Sequence, residues 1–212
     1  MPVLRFSGAI AALLALALGA AASAGVAIHP AADPVFQRML AVNHDLRSYT
    51  AQIEVRTRIG SRLSTLRGTV YAKGDRTKIR FDGVRAPGHP SVRHEPSIGA
   101  PSMWSRAYAV SIAVRDRTTT IFHLVPRAKG TGIDGIDVTV ANATGLVQRY
   151  LWTDSDGTTI ASDQHYEQIG GHVLPRFTQT QITGRGTRAE SETTFSNYRL
   201  NAGVPDSVFE SP

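Results

Sequence analysis

Residues 49–83 read YTAQIEVRTRIGSRLSTLRGTVYAKGDRTKIRFDG, and this stretch decides the fold. Tyr49, Ala51, Ile53, Val55, Thr57 and Ile59 alternate with Thr50, Gln52, Glu54, Arg56 and Arg58. Successive side chains of an extended chain point to opposite faces, so this period of two marks a strand with one buried and one wet face. Gly60-Ser61 supplies a turn, and Leu66, Gly68, Val70 and Ala72 mark a return strand. Gly74-Asp75 turns the chain again, and Thr77, Ile79 and Phe81 then alternate with Arg76, Lys78 and Arg80 before Asp82-Gly83. Strands joined by such short turns pair antiparallel, because a parallel return needs a long crossover.

Upstream, the period changes. Asp33-Pro34 reads as an N-cap followed by proline at the first helical position. Val35, Phe36, Met39, Leu40 and Leu46 recur at helical spacing, which predicts one amphipathic helix over 34–46. Further upstream, Arg5 precedes an apolar run over 8–22 and the small-x-small triplet Ala22-Ser23-Ala24. This predicts a cleavable signal peptide over 1–24 and a single domain over 25–209. The run is too short and too rich in alanine for a spanning helix. The 212 residues include no cysteine. That excludes disulfides, thiolate metal sites, cysteine nucleophiles and a lipidated N-terminal cysteine. Export without disulfides fits the periplasm of a Gram-negative bacterium.

Downstream, residues 84–106 break the rhythm with Pro87, Pro90, Pro96 and Pro101. A short helix is expected after Pro101-Ser102, with Met103-Trp104 as an apolar anchor. Strand patterns resume at Tyr108, Val110, Ile112 and Val114 and continue to residue 198, with turns such as Gly170-Gly171. The sum is about ten strands with no βαβ spacing, so the sheet is expected to be antiparallel throughout. The predicted class is mainly β (α+β): a curved antiparallel sheet forming an incomplete barrel closed by one to three helices.

Enzyme signatures are weak. His89, His94 and Glu95 share the proline-rich loop but lack metal-ligand spacing. Asp154-Ser-Asp156-Gly157 lacks the later calcium ligands and reads as a β-turn. Ser111 lies in a strand pattern without nucleophile-elbow glycines, and Asp134 and Asp137 read as turn carboxylates. No catalytic residue, metal or cofactor is expected.

The net charge of +6 is unevenly spread. Cations crowd residues 54–80, whereas Asp134, Asp137, Asp154, Asp156, Asp163 and Glu167 make the later strands acidic. The alternation puts Arg56, Arg58, Arg76 and Arg80 on the outer face of the meander. They are the candidates for docking an acidic partner or an anionic surface. Export and the lack of interleaved aromatics argue against nucleic acid.

Leu46-Arg-Ser-Tyr49, Arg67-Gly-Thr-Val-Tyr71, Lys78-Ile-Arg-Phe81, Tyr166-Glu-Gln-Ile-Gly-Gly-His-Val-Leu-Pro175, Thr194-Phe-Ser-Asn-Tyr198, Leu200-Asn201 and Val204-Pro-Asp-Ser-Val-Phe209 come in an order that resembles the periplasmic outer-membrane lipoprotein carriers, the LolA-like and LolB-like superfamily. The resemblance covers most of residues 34–209 and describes a divergent member. Where that family carries Lys-Arg-Pro at the end of its second strand, with a functional arginine, this chain has Lys73-Gly74-Asp75. The resemblance implies a half-barrel whose interior holds acyl chains of lipids or lipoproteins, and a soluble shuttle in place of a lipid-anchored acceptor. It implies a periplasmic, non-enzymatic carrier working toward the outer membrane, monomeric, with an inner- or outer-membrane transport protein as a partner. The alternative is a periplasmic lipid-sensing or protein-docking module. Phe36, Met39 and Leu40 on the helix are expected to face Ile53, Val55, Val70, Ile79, Phe81, Tyr108 and Ile112 on the sheet. With Trp104 these are the candidate cavity residues.

Overall fold

The computed structural model describes residues 26–27, 32–83, 100–184 and 186–210. In chain order the elements are β1 (Val26–Ala27), α1 (Pro34–Ala41), β2 (Ser48–Ile59), β3 (Arg62–Lys73) and β4 (Arg76–Phe81). A 3-10 turn (Pro101–Met103) leads into α2 (Trp104–Ala107). Then come β5 (Tyr108–Arg115), β6 (Thr119–Pro126), β7 (Ile133–Ala141), β8 (Val147–Asp154), β9 (Thr159–Ile169), β10 (His172–Gly184), β11 (Thr187–Leu200) and α3 (Ser207–Glu210). The predicted signal peptide over 1–24 and residues 84–99 of the proline-rich loop, with His89, His94 and Glu95, lie outside the described residues.

Eleven strands form one sheet in the order β1-β5-β6-β7-β8-β9-β10-β11-β2-β3-β4. Each neighbouring pair is antiparallel. The sheet is curved and does not close, so the fold is the expected mainly-β half-barrel. Most neighbours are joined by hairpins. Gly170 and Gly171, at φ +55° and +87°, supply the two left-handed residues of the β9–β10 turn. Such a turn matches the right-handed twist of the strands it joins. Two pairs depart from the meander: β1 lies beside β5, and β11 lies beside β2, where Thr193 is opposite Val55 and Phe195 opposite Ile53.

The helix α1 begins as expected. Asp33 caps it, its Oδ1 accepting from the amides of Val35 at 2.9 Å and Phe36 at 3.0 Å. It is shorter than the predicted 34–46, ending at Ala41. Val42 is extended, and Asn43 adopts φ +54°. The Asn43 side chain then donates to the Val173 carbonyl at 2.6 Å and accepts from its amide at 2.8 Å, as a neighbouring strand would. With Asn43 bonded to β10 in this way, Leu46 lies outside the helix.

Val35, Phe36 and Met39 bury into a core built from α2 and β5–β9: Trp104, Tyr108, Phe122, Leu124, Ile136, Val138 and Trp152 among others. Phe36, Trp104 and Phe122 meet edge to face, with centroids 5.8 to 6.3 Å apart. α1 lies so close to the β7–β8 turn that a Cβ on Gly145 would stand 2.6 Å from the Arg38 carbonyl carbon. A polar network latches the helix down. Asp33 Oδ2 accepts from Arg115 at 2.5 Å, Arg115 Nε donates to Thr120 Oγ1 at 3.0 Å, Thr120 donates to Asn142 Oδ1 at 2.7 Å, and Arg38 donates to the Asn142 carbonyl at 3.0 Å. A second apolar cluster stands apart: Ile53, Val55 and Val70, with Tyr49, Leu66, Ile79, Phe81 and Phe195 partly buried around them. Among the described residues no helix is long and apolar enough to cross a membrane.

Candidate functional site

The face of the sheet that carries α1 is called the inner face. The strand registers align its side chains into rungs. One rung runs Ser64, Thr57, Ser191, Thr180, Ser162, Tyr150, Val138, Phe122, Ile112 from β3 to β5. The next runs Ile59, Ala189, Ile182, Ile160, Trp152, Ile136, Leu124, Val110 from β2 to β5. At the β5–β7 end both rungs are apolar and covered by α1. In the middle, across β9, β10, β11 and β2, the first rung is a row of hydroxyls. Thr57 Oγ1 and Ser191 Oγ lie 3.1 Å apart, Ser162 Oγ and Thr180 Oγ1 lie 2.9 Å apart, and Gln164 Nε2 donates to Ser162 Oγ at 2.9 Å. Beyond it, the second apolar cluster lines β11, β2, β3 and β4.

This arrangement divides the candidate cavity residues. Phe36, Met39, Trp104 and Tyr108 lie in the packed core with Ile112 at its margin, while Ile53, Val55, Val70, Ile79 and Phe81 form the separate cluster. The helix therefore does not face β2–β4 as expected. Its stripe seats on β6–β9, because α2 and the Asp33–Arg115 pair bind it to that end of the sheet. Leu40 is 37% exposed and joins neither cluster. Within the second cluster Tyr49, Leu66, Ile79, Phe81 and Phe195 keep part of their surface open.

Burial raises the phenol pKa values of Tyr49, Tyr150, Tyr166 and Tyr198, with a further rise from the neighbouring Tyr150 at Tyr166 and from Tyr49 at Tyr198. All four stay neutral. Tyr198 donates to the Pro175 carbonyl at 2.5 Å, and its ring centroid lies 5.6 Å from that of Tyr49.

The outer-face arginines have separate fates. Arg56 pairs with Glu54, which also holds Arg67, and these two cations keep the Glu54 carboxyl below its ordinary value. Arg76 is drawn into a clasp with the C-terminus: it and Lys73 pair with Asp206, and its guanidinium lies 4.7 Å from the centre of the Phe209 ring. Arg58 and Arg80 are exposed, Arg80 lying 5.7 Å from the centre of the Tyr71 ring.

Two clefts open at one rim. The larger, about 680 Å³, is lined by Asp45, Arg47, Ser48, Lys73, Asn201, Gly203 and Val204. The smaller, about 330 Å³, is lined by Val42, Asn43, His44, Asp45, Thr144, Leu146, Gly171, His172 and Val173. Neither is lined by a candidate cavity residue. Sequence reasoning gave no role to Asn43, and none to Asn201 beyond its place in the resemblance. Asn201, at φ +52°, accepts from the amides of Arg47 at 2.9 Å and Ser48 at 3.3 Å.

Among the described residues no group of three or more histidines and carboxylates could hold a metal. Asp137, expected on a turn, lies within β7 and bonds His123 Nδ1 at 2.7 Å. Ser111 is the cross-strand neighbour of His123 on β5. The imidazole, however, packs over Gly135 of β7, where a Cβ would stand 2.8 Å from its Cε1. The row is thus not an assembled nucleophile and base.

No protein-family model matches the sequence, and no curated protein matches it. Solved structures do match in shape. A domain described as an outer membrane lipoprotein-sorting protein from Vibrio parahaemolyticus is similar at a TM-score of 0.64 and 15% identity, over 85% of this chain and 97% of that one. A LolA superfamily protein from Nitrosomonas europaea is similar at 0.58 and 12%, over 82% and 95%. A DUF1329 family protein from Desulfovibrio piger is similar at 0.56 and 15%, over 84% and 97%. None of the three is described as an enzyme. At these identities the likeness is one of architecture, and on it the chain has the fold of the LolA superfamily.

Proposed function

We propose that the protein is a non-enzymatic periplasmic carrier that holds acyl chains of lipids or lipoproteins on the inner face of its half-barrel for transfer toward the outer membrane. The observation that carries this reading is the second apolar cluster. Ile53, Val55 and Val70 form its floor, and Ile79, Phe81, Leu66 and Phe195 stay partly open around them, away from the end that α1 covers. A closed core has no need of such a half-open apolar face, and acyl chains gain free energy by leaving water for it. The fold shared with a lipoprotein-sorting domain supports the same reading.

Native mass spectrometry after gentle purification tests it. The expected result is a lipid adduct that is lost from a variant carrying Ile79→Glu and Phe81→Glu, whereas Leu40→Ala retains it. Protein free of lipid, with no affinity for a fluorescent fatty acid, would sink the proposal. The alternative is a lipid-sensing or protein-docking module, and exposed Arg58 and Arg80 favour it. Its partner would be a transport protein of the inner or outer membrane with an acidic docking surface. Neutralising Arg58 and Arg80 should then abolish an in-cell crosslink that the glutamate variants retain.

A further inference from the structure

The two edges of the sheet are built differently. One ends in β1, which has only two residues. The other ends in β4, whose six residues, Arg76–Phe81, pair with β3 throughout and without a bulge. The strand contains no proline. A very short strand, a bulge, a proline or charged side chains are the usual means of keeping an edge from pairing again, and β4 carries only charge.

The register fixes which backbone groups β4 leaves open. The Asp82 amide donates to the Arg67 carbonyl at 2.8 Å, and a Cβ on Gly68 would collide with the Arg80 carbonyl oxygen. In an antiparallel pair every second residue turns both its N–H and its C=O to the same neighbour, so Arg76, Lys78, Arg80 and Asp82 bond β3. Thr77, Ile79 and Phe81 turn theirs to the free edge, and among the described residues no strand pairs with them there. These three residues stand in a row at intervals of roughly 7 Å.

The side chains sort by the same alternation. Lys78 and Arg80 share the outer face with Arg76, which Asp206 and Phe209 hold. Ile79 and Phe81 share the inner face, partly buried in the second apolar cluster, and Thr77 is exposed. Partial burial, with the Arg80 charge beside it, holds the Lys78 ammonium below its ordinary value, and a carboxylate placed opposite would relieve that. A second copy of this chain fits the edge badly. Two β4 strands paired antiparallel about Ile79 would set Lys78 of each copy opposite Arg80 of the other, and like charges directly opposite destabilise a sheet. A strand with acids at those positions meets opposite charge on the outer face, and apolar residues between them extend the cluster on the inner face.

We propose that the β4 edge takes up an extended segment of a partner protein as an added strand. The segment alternates acidic residues, which face Lys78 and Arg80, with apolar residues, which lie beside Ile79 and Phe81. This goes beyond the carrier reading and does not depend on it.

The test is fluorescence polarisation of a fluorescein-labelled peptide, Glu-Val-Glu-Ile-Glu-Val-Glu, titrated with the full chain. It is expected to bind at least tenfold tighter than Lys-Val-Lys-Ile-Lys-Val-Lys, and at least tenfold tighter than Glu-Glu-Glu-Glu-Val-Ile-Val, which has its composition without its alternation. Thr77→Pro removes an edge amide without removing a bond to β3, and should weaken binding at least tenfold. Lys78→Glu with Arg80→Glu should turn the preference to the lysine peptide. Amide exchange gives a readout that needs no variant: the amides of Thr77, Ile79 and Phe81 should exchange fast in the free protein and at least tenfold more slowly with saturating peptide, while those of Lys78 and Arg80 are protected in both. Equal binding of the three peptides, an unchanged affinity in Thr77→Pro, or edge amides as slow as those of Lys78 and Arg80 before peptide is added would overturn the proposal. Binding to phosphatidylglycerol vesicles without binding to the peptide would make these cations a membrane-facing patch and overturn it equally. Each of these results leaves the carrier reading standing.

Discussion

Replacing Asp33 measures how firmly α1 is held on the sheet. One carboxylate oxygen caps the helix through the Val35 and Phe36 amides, and the other pairs with Arg115. Loss of such a cap costs about 1 kcal/mol. The ion pair has one buried end, since the Asp33 side chain is 6% exposed, but Arg115 is 37% exposed. Water can therefore resolvate the orphaned guanidinium, which reduces the several kcal/mol of a fully buried pair to about 1 kcal/mol. Asp33→Ala should lose both contributions, about 2 kcal/mol, lowering the thermal midpoint by roughly 4–8 °C for a domain of this size. Asp33→Asn keeps an acceptor for the amides and loses the charge, so it should cost about half as much.

The pH dependence separates the two further. Burial pushes the Asp33 carboxyl up, but the bond from Arg115, the Phe36 and Val35 amides and the Arg115 charge together hold it below its ordinary value of 3.8. A depressed pKa gives stability that is present above the unfolded value and is lost as the pH falls through the folded one. The gap between wild type and Asp33→Asn should therefore be full at pH 7, start to narrow below about pH 4 and go on narrowing as the pH falls through the lowered folded value. Urea unfolding followed by the fluorescence of Trp104, which lies against Phe36, is the assay. A midpoint for Asp33→Ala within experimental error of wild type, or a gap that does not narrow at all as the pH falls below about 4, would refute the reasoning.

Three further outcomes follow from the geometry. Asn43→Ala should destabilise by about 2 kcal/mol through two lost bonds to Val173 and a strained left-handed backbone; Asn43→Gly should recover the backbone part only, as urea midpoints would report. In an alkaline ultraviolet titration, four of the six phenols (Tyr49, Tyr150, Tyr166 and Tyr198) should ionise only on unfolding. Their raised values mean stability that is intact below pH 10 and lost above it, so smooth ionisation of all six near pH 10 would contradict the packing. Asp206→Ala should speed amide exchange in α3 without moving the global midpoint, because its pairs with Lys73 and Arg76 are exposed and hold only the C-terminal segment.

The strand pattern was legible because burial of one sheet face imposes a period of two, and β2 and β3 follow it closely, while in β4 Thr77 is exposed and Arg76 partly buried. The N-cap at Asp33 was legible for a similar local reason: a short acceptor before proline has few other uses. The helix end was not, since Leu46 continues the apolar spacing, while the chain turns extended at Val42 and Asn43 bonds Val173, 130 residues away. The candidate cavity residues other than Leu40 fall in one or other of the two apolar clusters, but periodicity assigns a face and never a neighbour. It could not say that Phe36 meets Phe122 and not Ile53. Nor could it divide the docking arginines: Arg56 and Arg76 are engaged by Glu54 and Asp206, the second of which lies far along the chain.

The sequence by itself determined the local order of this protein: which stretches extend, where they turn, and which side chains share a face, because these follow from backbone sterics and short-range alternation. Tertiary structure alone decided that β2 pairs with β11, and with it which side chains meet on the inner face. That register brings Thr57 beside Ser191, and the β10–β9 register brings Thr180 beside Ser162, so hydroxyls from strands more than a hundred residues apart become one rung. No window of sequence contains that rung, since its members are neighbours only across the hydrogen-bonded ladder.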